Sequence, residues 1–169
     1  TAKEISIDKE NEIIIGTGNV QAVDSTGQVI NANKITYEKS KQFLLAEENV
    51  KITDTDGNIL ITDKATYDKL NEMITTYDNT EMILKEGVKL ISANVSYNIE
   101  KGILNSSENS IFTDIEGNII ETSMFQYQVK NNLFSSAGKI KVIDIKKNKY
   151  FFKEIYVDTK KKRNDWFRC

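Results

Sequence analysis

An all-β chain built from repeats of about thirty residues is what this sequence predicts, on three observations. Tyr37, Tyr67, Tyr97 and Tyr127 lie thirty residues apart, and Gly27, Gly57, Gly87 and Gly117 keep the same interval. Between those markers, apolar and polar residues alternate in short runs separated by Asp, Gly and Asn, the period-two signature of half-buried strands joined by tight turns. No segment sustains a helical period. A fixed period of this length means one supersecondary unit repeated, each copy burying its apolar face against the next.

Taken in order, residues 2–19 read as the tail of a preceding unit, and Val20-Gln21-Ala22-Val23 opens the first full one, turning at Asp24 and Gly27. The second unit is the clearest. Asn49-Val50-Lys51-Ile52-Thr53 alternates, Asp54-Thr55-Asp56-Gly57-Asn58 turns, and Ile59-Leu60-Ile61-Thr62 returns through Lys64-Ala65-Thr66-Tyr67. Gly and Asn tolerate positive φ in such a turn, and Asp bonds its own backbone. Asp68-Lys69-Leu70-Asn71 turns again before Glu72-Met73-Ile74-Thr75-Thr76-Tyr77. The third unit carries Leu84-Lys85-Glu86-Gly87 in place of the acidic turn, the fourth opens at Ile111, and the fifth, from Lys141 to Tyr156, runs one residue short. Three short strands and two turns per repeat are therefore expected.

Stacked units align like residues in columns. Ala22, Ile52, Met82, Phe112 and Val142 share one phase, Ile35, Ala65, Val95 and Phe125 a second, and Ile13, Phe43, Met73, Ile103 and Leu133 a third. Such columns are expected to line the inside of a rolled sheet or sandwich. The tyrosines suit either core or rim, since the ring packs while the hydroxyl reaches water.

Composition removes several function classes. The 169 residues carry 39% apolar and 28% charged side chains with net charge -2, enough for one domain with a core but without the clustered basic face that nucleic acid requires. The basic run Lys160-Lys161-Lys162-Arg163 reads as a solvated terminus. Histidine is absent, which removes the commonest general base and zinc ligand. The single cysteine, Cys169, has no internal partner for a disulfide. No apolar stretch approaches the ~20 residues of a membrane helix. The opening Thr1-Ala2-Lys3, with neither methionine nor signal peptide, suggests a mature or excised segment.

Asp54-Thr55-Asp56-Gly57-Asn58 resembles the start of an EF-hand loop, but its twelfth position is Ala65, where a bidentate Glu is needed. A hairpin turn is the expected reading, with no metal site. The pairs Glu47/Glu48 and Asp54/Asp56 fall in turns or strand ends, and no nucleophile–base pair or phosphate loop is present. No catalytic residues and no cofactor are expected.

Two strings carry a resemblance. Gly18-Asn19-Val20-Gln21-Ala22 recurs as Glu48-Asn49-Val50-Lys51-Ile52, each followed by an Asp/Gly turn, and Ile30-Asn31-Ala32 leads on to Ile35-Thr36-Tyr37. Over residues 2–158 the chain resembles the OstA-like domains of the lipopolysaccharide-transport (Lpt) machinery. Glu48 stands where Gly is usual there, and Asp165-Trp166-Phe167-Arg168 fits no ladder, so the domain is expected over 1–158 with 159–169 as a tail. The resemblance implies an open, twisted β-jellyroll in the periplasm, either free there or attached to the outer membrane through a barrel outside this chain. It implies lipopolysaccharide acyl chains as ligand, in an interior groove, and edge-strand pairing with other Lpt jellyrolls. The groove is expected at Ile35, Phe43, Ile52, Ala65, Met73, Val95, Phe112 and Phe125. The edges are expected at Ile5, Ser6, Ile7 and at Ile155, Tyr156, Val157, with the upstream bridge protein received at the N-terminal edge. The competing expectation is a structural β-repeat of a cell-surface protein whose bore is filled by its own side chains. An enzyme on a β scaffold would instead need a convergent acidic pair.

Overall fold

A computed structural model describes residues 1–84 and 87–160, and every regular element among them is a strand. In chain order these are β1 (Glu4–Asp8), β2 (Ile13–Val23), β3 (Val29–Glu38), β4 (Phe43–Thr53), β5 (Ile59–Asp68), β6 (Met73–Ile83), β7 (Lys89–Ala93) and β8 (Ser96–Asn98). The series continues with β9 (Ile103–Ser106), β10 (Ser110–Thr113), β11 (Ile119–Thr122), β12 (Phe125–Gln128), β13 (Leu133–Ile143) and β14 (Lys149–Asp158). All pairings are antiparallel. The all-β expectation holds. The stretch after Thr159, with Asp165 to Arg168 and Cys169, lies outside the described residues apart from Lys160, as do Lys85 and Glu86 of the third turn.

The repeat itself differs from expectation. It holds two long strands rather than three short ones: β4 has 11 residues and β5 has 10. The segment from Glu72 to Tyr77 and the next unit's opening strand are one continuous element, β6. The polar pairs that look like a break are β-bulges. Gly18 and Asn19 have φ of 76 and 50, and Glu48 and Asn49 have 64 and 54. The ladder slips at those points, between Thr17 and Val20 and between Glu47 and Val50. A bulge adds a residue to one strand and bends it, so a Gly-Asn pair inside a strand has the composition of a turn without reversing the chain.

Because the bulges align from strand to strand, every long strand is divided at the same level and the sheet becomes two half-sheets. One half ends in the Asp turns; the other carries the tyrosines. They pack face to face, with Phe112 of the Asp-turn half 4.5 Å from Phe134 and 6.3 Å from Tyr127 of the Tyr half, centroid to centroid. The pairings run in a closed circuit from β6 through β7, β10, β11, β13, β12, β9 and β8. The circuit arises because the strands after β6 are interrupted at the bulge level, so β6 and β13 each meet both halves of a neighbour. β1 and β14 lie outside it, each with a single pairing partner among the described residues.

Along the inner side of the bulges runs a spine of buried hydroxyls from Thr62 to Ser136. Thr80 Oγ1 donates to Thr76 Oγ1 at 2.7 Å, Thr62 Oγ1 donates to the Asn79 carbonyl at 3.1 Å, and Ser136 Oγ to that of Met124 at 2.8 Å. Bulging strips carbonyls of their ladder partners, and a buried carbonyl must find another donor. In the first units the same level holds Gly16, Val20, Ala32, Ala46 and Val50 instead.

The Asp turns are Asx cradles. Asp114 Oδ1 accepts from the Glu116 and Asn118 amides at 2.9 and 2.7 Å, and Oδ2 from Asn118 Nδ2 at 2.7 Å. Asp54 is engaged in the same way by Asp56 and Asn58, so the string that resembles a calcium loop is a hairpin turn. At Asp24, partial burial pushes the carboxyl up, but donors from Thr26, Gln28 and Gly27 outweigh it and hold the pKa below 3.8. That contribution to stability is present above the unfolded value and is lost as pH falls through the lower folded one. Asp114→Ala should destabilise the domain by about 1–3 kcal/mol, because it orphans buried donors; a lowered urea midpoint with unchanged slope is the expected reading.

Two of the three apolar columns face the interior. Ile52, Met82, Phe112 and Val142 are buried, with Ala22 half-buried against them, and Ile35, Ala65, Val95 and Phe125 are buried throughout. The third needs correction. Ile13, Phe43, Met73, Ile103 and Leu133 are half-buried on the outer face, and their neighbours Leu44, Ile74, Leu104 and Phe134 point inward. Phe43 and Met73 therefore do not line the interior. Both phases are apolar at this end of the strand, and a one-residue slip exchanges the faces.

Candidate functional site

A cavity of about 400 Å³ lies under the N-terminal edge, lined by Ala22 and Ile30 from the Asp-turn half and by Gly16, Ile35, Leu44 and Tyr67 from the Tyr half. Gly16 and Ala22 leave space at this level. β1 pairs with Ile13–Thr17 of β2, and Thr1 exchanges backbone bonds with Gln21 at 2.8 Å each.

Beyond the cavity the bore is filled. Phe112, Phe125 and Phe134 are each 3% exposed or less and stack on one another, Phe125 and Phe134 at 6.0 Å between centroids. Of the expected groove residues, Ile35 lines the cavity, while Ile52, Ala65, Val95, Phe112 and Phe125 sit in the packed interior. Gly16, Ile30, Leu44 and Tyr67 were not among the expected groove positions. A signal for the space is present in Ala22, the smallest member of the column Ala22, Ile52, Met82, Phe112 and Val142.

The tyrosines mark the seam where the tips of the two halves meet. Burial raises the pKa of the half-buried Tyr67, with Asp24 and Glu72 adding to it. Burial does the same at Tyr97, helped by Asp54 and Asp56 of a turn on the opposite half. Tyr127 is buried, its hydroxyl 3.1 Å from Thr159 Oγ1. The rings of Tyr67 and Tyr97 close the core with acidic turns lying across from them.

Ile5, Ser6 and Ile7 lie on β1, with both isoleucines 61% exposed; on β14, Ile155 and Val157 point inward and Tyr156 outward. Neither edge has proline, and an unprotected edge templates pairing with another chain. Backbone N–H groups alternate in direction along a strand, so one of Ser6→Pro and Ile7→Pro must remove an outward donor. If β1 receives a partner strand, one of the two should abolish association with a partner jellyroll on size exclusion, whereas Ser6→Ala should not.

No protein-family model and no curated protein matches the chain. Among solved structures it is similar to the G-box domain of the microcephaly protein CPAP, at 10% identity and TM-score 0.24, over 88% of this chain and 97% of that one. A mutant TCP10 domain of Danio rerio CPAP aligns at 10% identity and TM-score 0.17, over 89% and 99% of the two chains. Likeness of this degree carries no argument about fold or function.

Proposed function

We propose that this domain is a non-catalytic carrier that takes a lipid acyl chain into its apolar interior at the cavity between β2 and the facing half-sheet. The observation that carries the reading is this cavity of mainly apolar lining between the half-sheets, continuous with the inward columns. Grooves lined by aliphatic side chains with few polar groups suit alkyl chains. Passage further along needs the halves to part. The tyrosine seam, closed by contacts between hairpin tips, is the side on which they would separate, since the opposite side is continuous backbone.

With the OstA-like motifs, the ligand proposed is lipopolysaccharide and the setting the periplasm. The chain is most like the N-terminal domain of the outer-membrane assembly protein LptD, and next like the bridge protein LptA. Its partners would be other Lpt jellyrolls paired at β1 or β14. The filled bore around Phe112 and Phe134 favours a second reading, a structural β-repeat that binds nothing inside.

Photo-crosslinking separates the two. With the photoreactive side chain at Ala22 or Ile35, a carrier should yield lipopolysaccharide adducts, while the outward position Ile61 should yield none. Labelling equal at Ala22 and Ile61, or absent from both cavity positions, would favour the structural module.

A further inference from the structure

The hairpin joining β13 to β14 departs from its repeat-mates in ways the interior does not explain. Its turn keeps the Asp cradle, Asp144 Oδ1 and Oδ2 accepting from the Asn148 amide and Nδ2 at 2.9 Å each. The positive-φ position, held by Gly27, Gly57, Gly87 and Gly117 elsewhere, is here Lys147 at φ 69. Glycine is the unstrained residue in that conformation, so a lysine is kept against local backbone preference.

The surroundings give that lysine a context. Lys139, Lys141, Lys146, Lys147, Lys149 and Lys153 all lie on this hairpin, and Lys141 alone makes an ion pair among the described residues, to Glu121 at 2.9 Å. The carboxylate of Asp144 is engaged in the turn. Residues 145–151 are exposed without interruption, and Phe151, at 75%, is the most exposed large apolar side chain described, with Ile145 at 52%. Beside them on the outer face a trough of about 770 Å³ is lined by Ile91, Ile111, Phe151, Lys139, Lys141 and Lys153. Apolar side chains interspersed with unpaired lysines fit poorly in a protein interface, whose core is depleted of lysine. They fit an anionic lipid surface, where apolar groups enter the boundary of the acyl region while ammonium groups meet phosphates.

We propose that the β13–β14 hairpin docks onto an anionic phospholipid surface, with Phe151 and Ile145 entering the headgroup layer and the lysines meeting lipid phosphates. The proposal is independent of what the interior holds. It is tested by co-sedimentation of the full chain with vesicles of phosphatidylcholine alone or mixed with phosphatidylglycerol. Binding should require the anionic lipid and weaken as salt rises. The triple variant Lys146→Glu, Lys147→Glu, Lys149→Glu should lower binding roughly tenfold or more, and Phe151→Ser should lower it as well. Lys147→Gly is the most telling variant: it should bind severalfold more weakly yet melt at a higher temperature, two changes that a purely structural lysine would not couple. Equal binding to neutral and anionic vesicles, or unchanged binding by the triple variant, would overturn the proposal. So would self-association that the triple variant loses in the absence of vesicle binding, which would assign the hairpin to a second copy of the chain.

Discussion

Phe112→Asp is expected to leave the domain unfolded at room temperature. Phe112 is 1% exposed, and its ring lies against Phe134 at the point where the two half-sheets meet. Truncating a buried aromatic removes about 3–5 kcal/mol through lost burial and the cavity left behind. An unpaired carboxylate in the same place adds a desolvation penalty of several kcal/mol. Together these approach the ~5–15 kcal/mol that holds a domain of this size folded. Circular dichroism should show loss of the cooperative thermal transition. Phe112→Leu, which keeps the site apolar, should fold with a lowered midpoint. A Phe112→Asp protein melting within a few degrees of the unsubstituted chain would mean that the packed interior described above opens to water. The same expectation makes Phe112 a poor probe of lipid carriage, since loss of transport there would report unfolding.

The parts of this architecture that were legible in sequence, and those that were not, separate on physical grounds. The strand content and the inward column through Ile52, Met82 and Val142 are readable because Lys51, Glu81 and Lys141 precede those residues, while Phe112, preceded by Ile111, takes its phase from the repeat. At the other end of each strand, Phe43 is followed by Leu44, Met73 by Ile74 and Leu133 by Phe134. Alternation gives no phase when both neighbours are apolar, so the inward face there is set by packing and not by pattern. The repeat divides differently from its composition because Gly18-Asn19 and Glu48-Asn49 have turn composition but serve as bulges. Only the observed register separates a strand that bends from one that ends. The cavity depends on long-range placement: nothing local at Gly16 or Ala22 says that the two half-sheets leave space between them there.

That placement sets the last expectation. Ala22 lines the cavity, is half-buried, and shares its column with Ile52 and Met82. Ala22→Leu should fill the cavity with apolar atoms, as the later repeats do with their own side chains. The fold should tolerate it, with a midpoint equal to or above the original, because filling a lined void adds buried contacts without unpaired polar groups. Acyl binding, followed with a fluorescent fatty-acid probe, should fall by roughly tenfold if the ligand occupies that space, on the order of 1–2 kcal/mol of lost apolar contact. Ala22→Asp should weaken binding at least as much for a different reason, since a carboxylate beside the acyl chain must be desolvated. The pair separates volume from polarity, and the melting temperature of each variant excludes unfolding as the cause. If both variants bind the probe as the unsubstituted chain does, the cavity does not hold the acyl chain and is only a gap between the half-sheets.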